Sequence, residues 1–168
     1  MLPLAALPQG ELLTLNVDDL PLIEDSLGPG VSTKLLRLDM EAGKRVVLAT
    51  FAPGVSLPIH YHTGTAEVYT LAGRWRYREY PDQPQTAGSY LYEPGGSVHT
   101  FYTPADNTED IVMLIFVAGA NVNFTDDGQF HSILDAVSIK AQADMFAAQG
   151  VEGLRYINGS ATVIAGTD

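Results

Sequence analysis

Pro58-Ile59-His60-Tyr61-His62 is the stretch on which the reading of this chain turns, because it sets two imidazoles two residues apart between turn signals. Side chains of an extended strand alternate between faces, so His60 and His62 project to the same side. His99 follows His62 by 37 residues, just beyond the Pro94-Gly95-Gly96 turn, and can close a pocket from another strand. Three of the four histidines fall in this pattern. The fourth, His131, sits in a polar stretch and reads as a structural residue, not a ligand.

The surrounding chain reads as scaffold. Residues 33–39 and 45–51 are apolar, partly alternating runs around Glu41-Ala42-Gly43-Lys44, a hairpin signal. Ala52-Pro53-Gly54 turns the chain into the histidine strand. Residues 67–71 and 74–80, joined at Ala72-Gly73, read as a second hairpin. Its second half places Arg74, Arg76 and Arg78 on one face and Trp75 and Tyr77 on the other. That alternation fits a half-buried strand with solvated arginines, or one whose aromatic face lines a pocket. Strands are predicted over 89–93, 99–103 and 111–118, so the spacing of short strands and turns predicts an all-β sandwich or barrel. After Asp126-Asp127-Gly128 the period changes, and Ile139, Ala143, Phe146 and Ala147 predict a helix over about 138–149, with Gly150 at its C-terminal cap. The expected organisation is an N-terminal arm (1–30) with one short strand, laid across a partner subunit, then a barrel (31–125) and a C-terminal extension (126–168).

Composition removes several classes of function. The 168 residues suit one domain with a substantial core, and 46% are hydrophobic. No apolar run is long enough to span a membrane, and the proline-interrupted start lacks the basic flank of a signal peptide, so a cytoplasmic protein is expected. Lys plus Arg number 9 against 20 Asp plus Glu, a net charge of −11 that opposes binding to a phosphate backbone and argues against nucleic acid. With no cysteine, any transition metal must be held by imidazole and oxygen.

Two spacings carry a resemblance. Gly54-x5-His60-x-His62-x4-Glu67, closing near Gly73, resembles the first cupin motif. Gly88-x5-Pro94-x-Gly96-x2-His99, with Thr103 where Asn is usual, resembles the second. The resemblance implies a cupin double-stranded β-helix, a jelly-roll barrel, with a metal inside it. The family's fourth ligand is a glutamate of the first motif, and here the count is mixed. Forward from His62, Glu67 is acceptably placed; back from Gly73 it falls one residue late and Ala66 takes its place. A one-residue slip sends a strand side chain to the other face, so Glu67 points away from the metal unless a bulge restores the register. Glu93, beside the second turn, is another carboxylate in reach, either a partner of the site or a strand end facing solvent.

The expected ligand set is thus three neutral imidazoles: His60, His62 and His99. Such a set leaves a divalent ion's charge uncompensated and favours an anionic, bidentate oxygen ligand such as an enolate. Imidazole does not by itself select the ion.

The stretches Thr70-Leu71-Ala72-Gly73-Arg74-Trp75-Arg76-Tyr77, Glu79-Tyr80-Pro81-Asp82-Gln83, Thr86-Ala87-Gly88-Ser89-Tyr90 and Glu93 to Thr100 are similar to the small cupin dioxygenases that cleave 2,4'-dihydroxyacetophenone. That resemblance implies Fe(II) on His60, His62 and His99; by ligand chemistry alone Zn or Ni are the alternatives. It also implies O2-dependent cleavage of the C–C bond beside a carbonyl in a small 2-hydroxyketone or β-diketone. Glu93 and Tyr77 are the candidate catalytic residues, and Trp75, Tyr77 and Tyr90 are candidates to pack an aryl group. Zinc-binding cupin domains of anti-sigma factors share the general motifs, so a sensor or regulatory domain without catalysis is the alternative. The edges of an open jelly roll and the apolar arm lead to an expected homodimer.

Overall fold

Alternation in burial builds the barrel. The computed structural model describes residues 12–159. Its first hairpin joins β1 (Val31–Asp39) to β2 (Lys44–Phe51). Along β2, Arg45, Val47, Ala49 and Phe51 are buried while the residues between them are partly covered, the period-two signature of a strand on a core. There follow β3 (His60–His62), β4 (Ala66–Ala72), β5 (Arg74–Tyr77), β6 (Gln85–Thr86), β7 (Tyr90–Glu93), β8 (Val98–His99), β9 (Phe101–Tyr102) and β10 (Ile111–Ala118). The order ends with β11 (Asn121–Phe124), β12 (Phe130–Leu134), α1 (Ala136–Ala148) and β13 (Ile157–Asn158).

The larger sheet runs β13-β1-β2-β10-β4-β7, and two smaller ones, β12-β11-β3-β8 and β6-β5-β9, complete the barrel. Between them Phe101 packs against Phe51 and Trp75, with ring centroids 4.7 and 5.1 Å away. Leu35, Val68, Ile111 and Met113 belong to the same core. The fold is the all-β cupin barrel with a single C-terminal helix that the sequence predicts.

Four local expectations change. Residues 66–80 do not form a hairpin: β4 pairs with β10 and β7, whereas β5 pairs with β6 and β9. Gly73 makes a corner between sheets, at φ +76°, where a Cβ would sit 2.9 Å from the Ile111 Cα. The barrel sheets also run past residue 125, because the turn at 126–128 joins β11 to β12. The helix starts at Ala136, before the predicted 138, because Asp135 caps it. Ser138 N donates to the Asp135 carboxylate at 2.7 Å and Asp135 N donates to the Ser138 hydroxyl at 2.8 Å. Finally, part of the expected arm packs on its own barrel. Leu20 and Ile23 are buried, and Ile23 bridges Thr33 through two backbone hydrogen bonds of 2.8 and 3.1 Å. The rest of the arm before residue 12, and the extension after residue 159, lie outside the described residues. Among the described residues no helix is long and apolar enough to cross a membrane.

Candidate metal centre

Strand pairing brings the three histidines together. β3 and β8 are antiparallel with His60 directly opposite His99. The turn between the motifs is pinned to His62 itself: Gly96 N donates to the His62 carbonyl (2.8 Å), and His62 N donates to the Ser97 carbonyl (2.9 Å). Gly96 lies at φ +92°, open to glycine and strained for other residues, so the Pro94-Gly95-Gly96 sequence fixes where β8 begins. All three rings are buried, and their ligand nitrogens lie within 4.8 Å of one another.

The nitrogens fit a bound cation. His60 Nδ1 lies 2.9 Å from the Pro58 carbonyl, which makes Nδ1 the donor and leaves Nε2 as a lone-pair ligand. Both nitrogens of His62 and Nε2 of His99 are buried without a hydrogen-bond partner among the described residues. Buried polar atoms are seldom left unpaired, and one unpaired ring nitrogen each from His62 and His99, beside the free Nε2 of His60, matches an imidazole-ligated divalent ion. Burial drives the His62 pKa down to about 4 against the opposing pull of Glu93, and burial lowers that of His60. Both rings are therefore neutral at neutral pH, the form that binds metal.

A carboxylate does reach the centre, but from the second motif. Glu93 is 5% exposed, with Oε2 3.1 Å from His62 Nε2 and 3.4 Å from His99 Nε2, close approaches without hydrogen-bond alignment. Its Oε1 accepts a short hydrogen bond from the Tyr77 hydroxyl. Burial raises the Glu93 pKa, but His99 and Tyr77 outweigh it and hold the carboxyl below its ordinary value. Burial and the Glu93 charge push the Tyr77 phenol well up, so it stays protonated. The Tyr77 ring also stacks on His99, 3.8 Å between centroids and 19° from parallel.

Ala66 on β4 stands directly opposite Glu93 on β7, and both are buried. Cross-strand partners share a face. The carboxylate absent from β4 is supplied by the adjacent strand. Glu67 points outward, exposed, and accepts from the Tyr90 hydroxyl at 2.9 Å. Tyr90 is consequently on the outer surface and cannot pack an aryl group inside. Trp75 is buried and its indole N–H donates to Thr70 Oγ1 at 2.9 Å. Thr103, at the usual Asn position, closes a turn by accepting from Val55 N and donating to the Ala52 carbonyl, each at 2.8 Å. His131 is exposed on β12, away from the three.

Two cavities meet here. An inner chamber of about 90 Å³ is lined by His60, His62, Trp75 and apolar residues of the core. An outer groove of about 430 Å³ runs over His99 and the 94–98 turn. Tyr77 and Glu93 line both. The chamber also contains Arg45, which sequence reading passed over inside an apolar run, although its alternation with Val47, Ala49 and Phe51 already placed it on the inward face.

Fold and site together define a cupin with a buried three-histidine group that could bind a metal. Residues 12–122 match the family model of the ChrR cupin-like domain, and the chain belongs to that family. No curated protein matches it. Among solved structures, it is similar to a cupin-fold protein of unknown function from Ralstonia eutropha, at 42% identity over 96% of this chain and 100% of the other, with a TM-score of 0.87. An RmlC-like cupin from the same organism is 28% identical over 84% of this chain and 91% of its own, with a TM-score of 0.77. An acetylacetone dioxygenase from Acinetobacter johnsonii, 16% identical over 84% of this chain and 96% of its own with a TM-score of 0.65, shares the fold.

Proposed function

We propose that this protein is a non-haem Fe(II) dioxygenase that cleaves a C–C bond of a small 2-hydroxyketone or β-diketone with O2. The observation that carries the reading is the pairing of three buried imidazoles with an ionised, positioned carboxylate, Glu93, at the mouth of a mainly apolar chamber. His60, His62 and His99 are the residues that would hold the iron. Iron bound there would supply Lewis acidity toward the substrate oxygens and one-electron chemistry toward O2.

The chain's own groups set up the substrate. Glu93 is held as the carboxylate and so can take the acidic proton of a 2-hydroxyketone or β-diketone, giving the electron-rich enolate that O2 attacks. Tyr77 anchors Glu93 through Oε1, leaving Oε2 directed at the histidines. The same phenol ring, stacked on His99, fixes the plane of that imidazole. Trp75 and the apolar walls exclude water from the enolate. The two oxygen atoms of O2 end in the two carbonyl products of the cleaved bond.

Anaerobic loading with Fe(II), then oxygen uptake on a panel of 2-hydroxyketones and β-diketones, tests this reading. Uptake should be stoichiometric with cleavage and absent in His99→Ala. Iron-loaded protein that consumes no oxygen across the panel would overturn it. A second reading, a metal-binding regulatory cupin without catalysis, draws on the family's ChrR name. It requires tight zinc retention, no oxygen uptake and capture of a regulator by the purified protein.

A further inference from the structure

The inner chamber holds a cation that the metal centre does not use. Arg45 stands at the start of the inward row of β2 and is only 3% exposed. Its Nη1 donates to the Gly119 carbonyl at 2.8 Å and its Nη2 to Asn121 Oδ1 at 2.6 Å. Both acceptors are neutral. Among the described residues no carboxylate lies within 4.0 Å of the guanidinium. Asp135 acts on it only through space, and its carboxylate is engaged in capping α1. Burial lowers the Arg45 pKa to about 10, so the group is still charged at neutral pH.

A buried charge without a counter-charge is costly, and a mere tie between β2 and the 119–121 turn needs donors, not charge. The guanidinium lines the same cavity as His60, His62 and Glu93, whose remaining walls are largely apolar. We propose that Arg45 is the anion-recognition residue of this chamber, and that the molecule taken there is a compact oxygenated ketone bearing a carboxylate. The ketone end rests on the dioxygenase reading above; the carboxylate end rests on Arg45 alone. Of the five guanidinium N–H groups, the three not used by Gly119 and Asn121 can pair with a carboxylate, while the negative Glu93 turns the acid end away from the mouth. At about 90 Å³ the chamber is far below the roughly 300 Å³ of ordinary ligand pockets, which restricts it to a short molecule.

Anaerobic titration calorimetry with 3,5-dioxohexanoate and its primary amide decides the matter, because the two share one β-diketone and differ in charge. Metal-loaded wild-type protein should bind the acid at least tenfold more tightly than the amide, as charge-assisted pairing requires. Arg45→Met should level the two affinities, and Arg45→Lys, which keeps the charge without the fork, should keep part of the preference. Circular dichroism establishes that each variant is folded, and if Arg45→Met does not fold, the wild-type comparison and Arg45→Lys still decide. Equal affinities in wild type, an undiminished preference in Arg45→Met, or no binding of the acid at millimolar concentration would each overturn the proposal. Chelator-treated protein separates the two readings. An acid preference that persists there supports Arg45 even if the iron reading fails; acid and amide bound equally, and only with metal, reject Arg45 and keep the metal site.

Discussion

Each imidazole of the centre is set by a different neighbour: His60 by the Pro58 carbonyl, His99 by the face of Tyr77, and His62 by the turn hydrogen-bonded to its backbone. Removing any one should therefore abolish the site without dismantling the strand. His60→Ala and His99→Ala should lower bound metal by at least tenfold in elemental analysis while circular dichroism stays that of a β protein. Glu93→Gln separates two roles. As a base beside the metal, Glu93 should leave metal content intact on mutation and lower oxygen uptake roughly 10–100-fold; as a direct ligand it should lose metal as the histidine variants do. Acid titration of the metal-free protein checks the electrostatics. The His62 imidazole takes its proton near 6.5 when unfolded but only at about 4 when folded, so over that window the unfolded chain binds more protons. Stability should fall as pH falls through it, and His60 contributes in the same direction. A urea midpoint that stays constant from about pH 6.5 to about pH 4 would contradict buried neutral imidazoles.

Elements were legible where one face is dry and the other wet. β2 alternates in burial along its whole length and β10 is an unbroken apolar run with Ile111, Met113 and Val117 buried, and the ranges of both follow from the sequence nearly residue for residue. The register count that separates Ala66 from Glu67 was legible too, because a period of two leaves no intermediate orientation. The corner at Gly73 was not, since Leu71-Ala72-Gly73 suits a hairpin turn as well as a change of sheet. Only the close approach of Ile111, 38 residues away in sequence, distinguishes them. β12 escaped notice because Phe130 and Ile133 are exposed, so its hydrophobic pattern does not report the buried face. Arg45 was hidden for a related reason: a charged residue at the head of a strand resembles a solvated end. Gly73→Ala should destabilise the protein by about 2–4 kcal/mol, the sum of a left-handed alanine and overpacking against Ile111. Asp135→Ala, which removes the cap of α1, should cost about 1 kcal/mol. Denaturant melts that rank the two the other way would show that the sheet corner relaxes.

For the whole molecule, one sheet edge carries a cluster of exposed aromatic and apolar side chains. β7 ends the six-stranded sheet, and its outward Tyr90 lies opposite the exposed Tyr69 of β4, with Leu71 and Tyr92 exposed on the same two strands. A terminal strand flanked by bare aromatics is a site for pairing unless it is covered. We propose that a second copy of the chain covers it, giving a homodimer. Tyr92 also lines the outer groove that leads to Tyr77 and Glu93, so such a partner would wall the approach to the chamber. Each copy carries a net charge of −11, which opposes association at low ionic strength, whereas apolar burial does not weaken with salt. Light scattering should therefore give twice the 18.1 kDa chain mass, with the dimer favoured as salt is raised. Tyr90→Asp, on a residue outside the core, should return the mass to one chain and leave the melting of the barrel nearly unchanged. A wild-type monomer at all salt concentrations would refute the dimer; a dimer indifferent to Tyr90→Asp would move the interface to another face and leave the groove open to solvent.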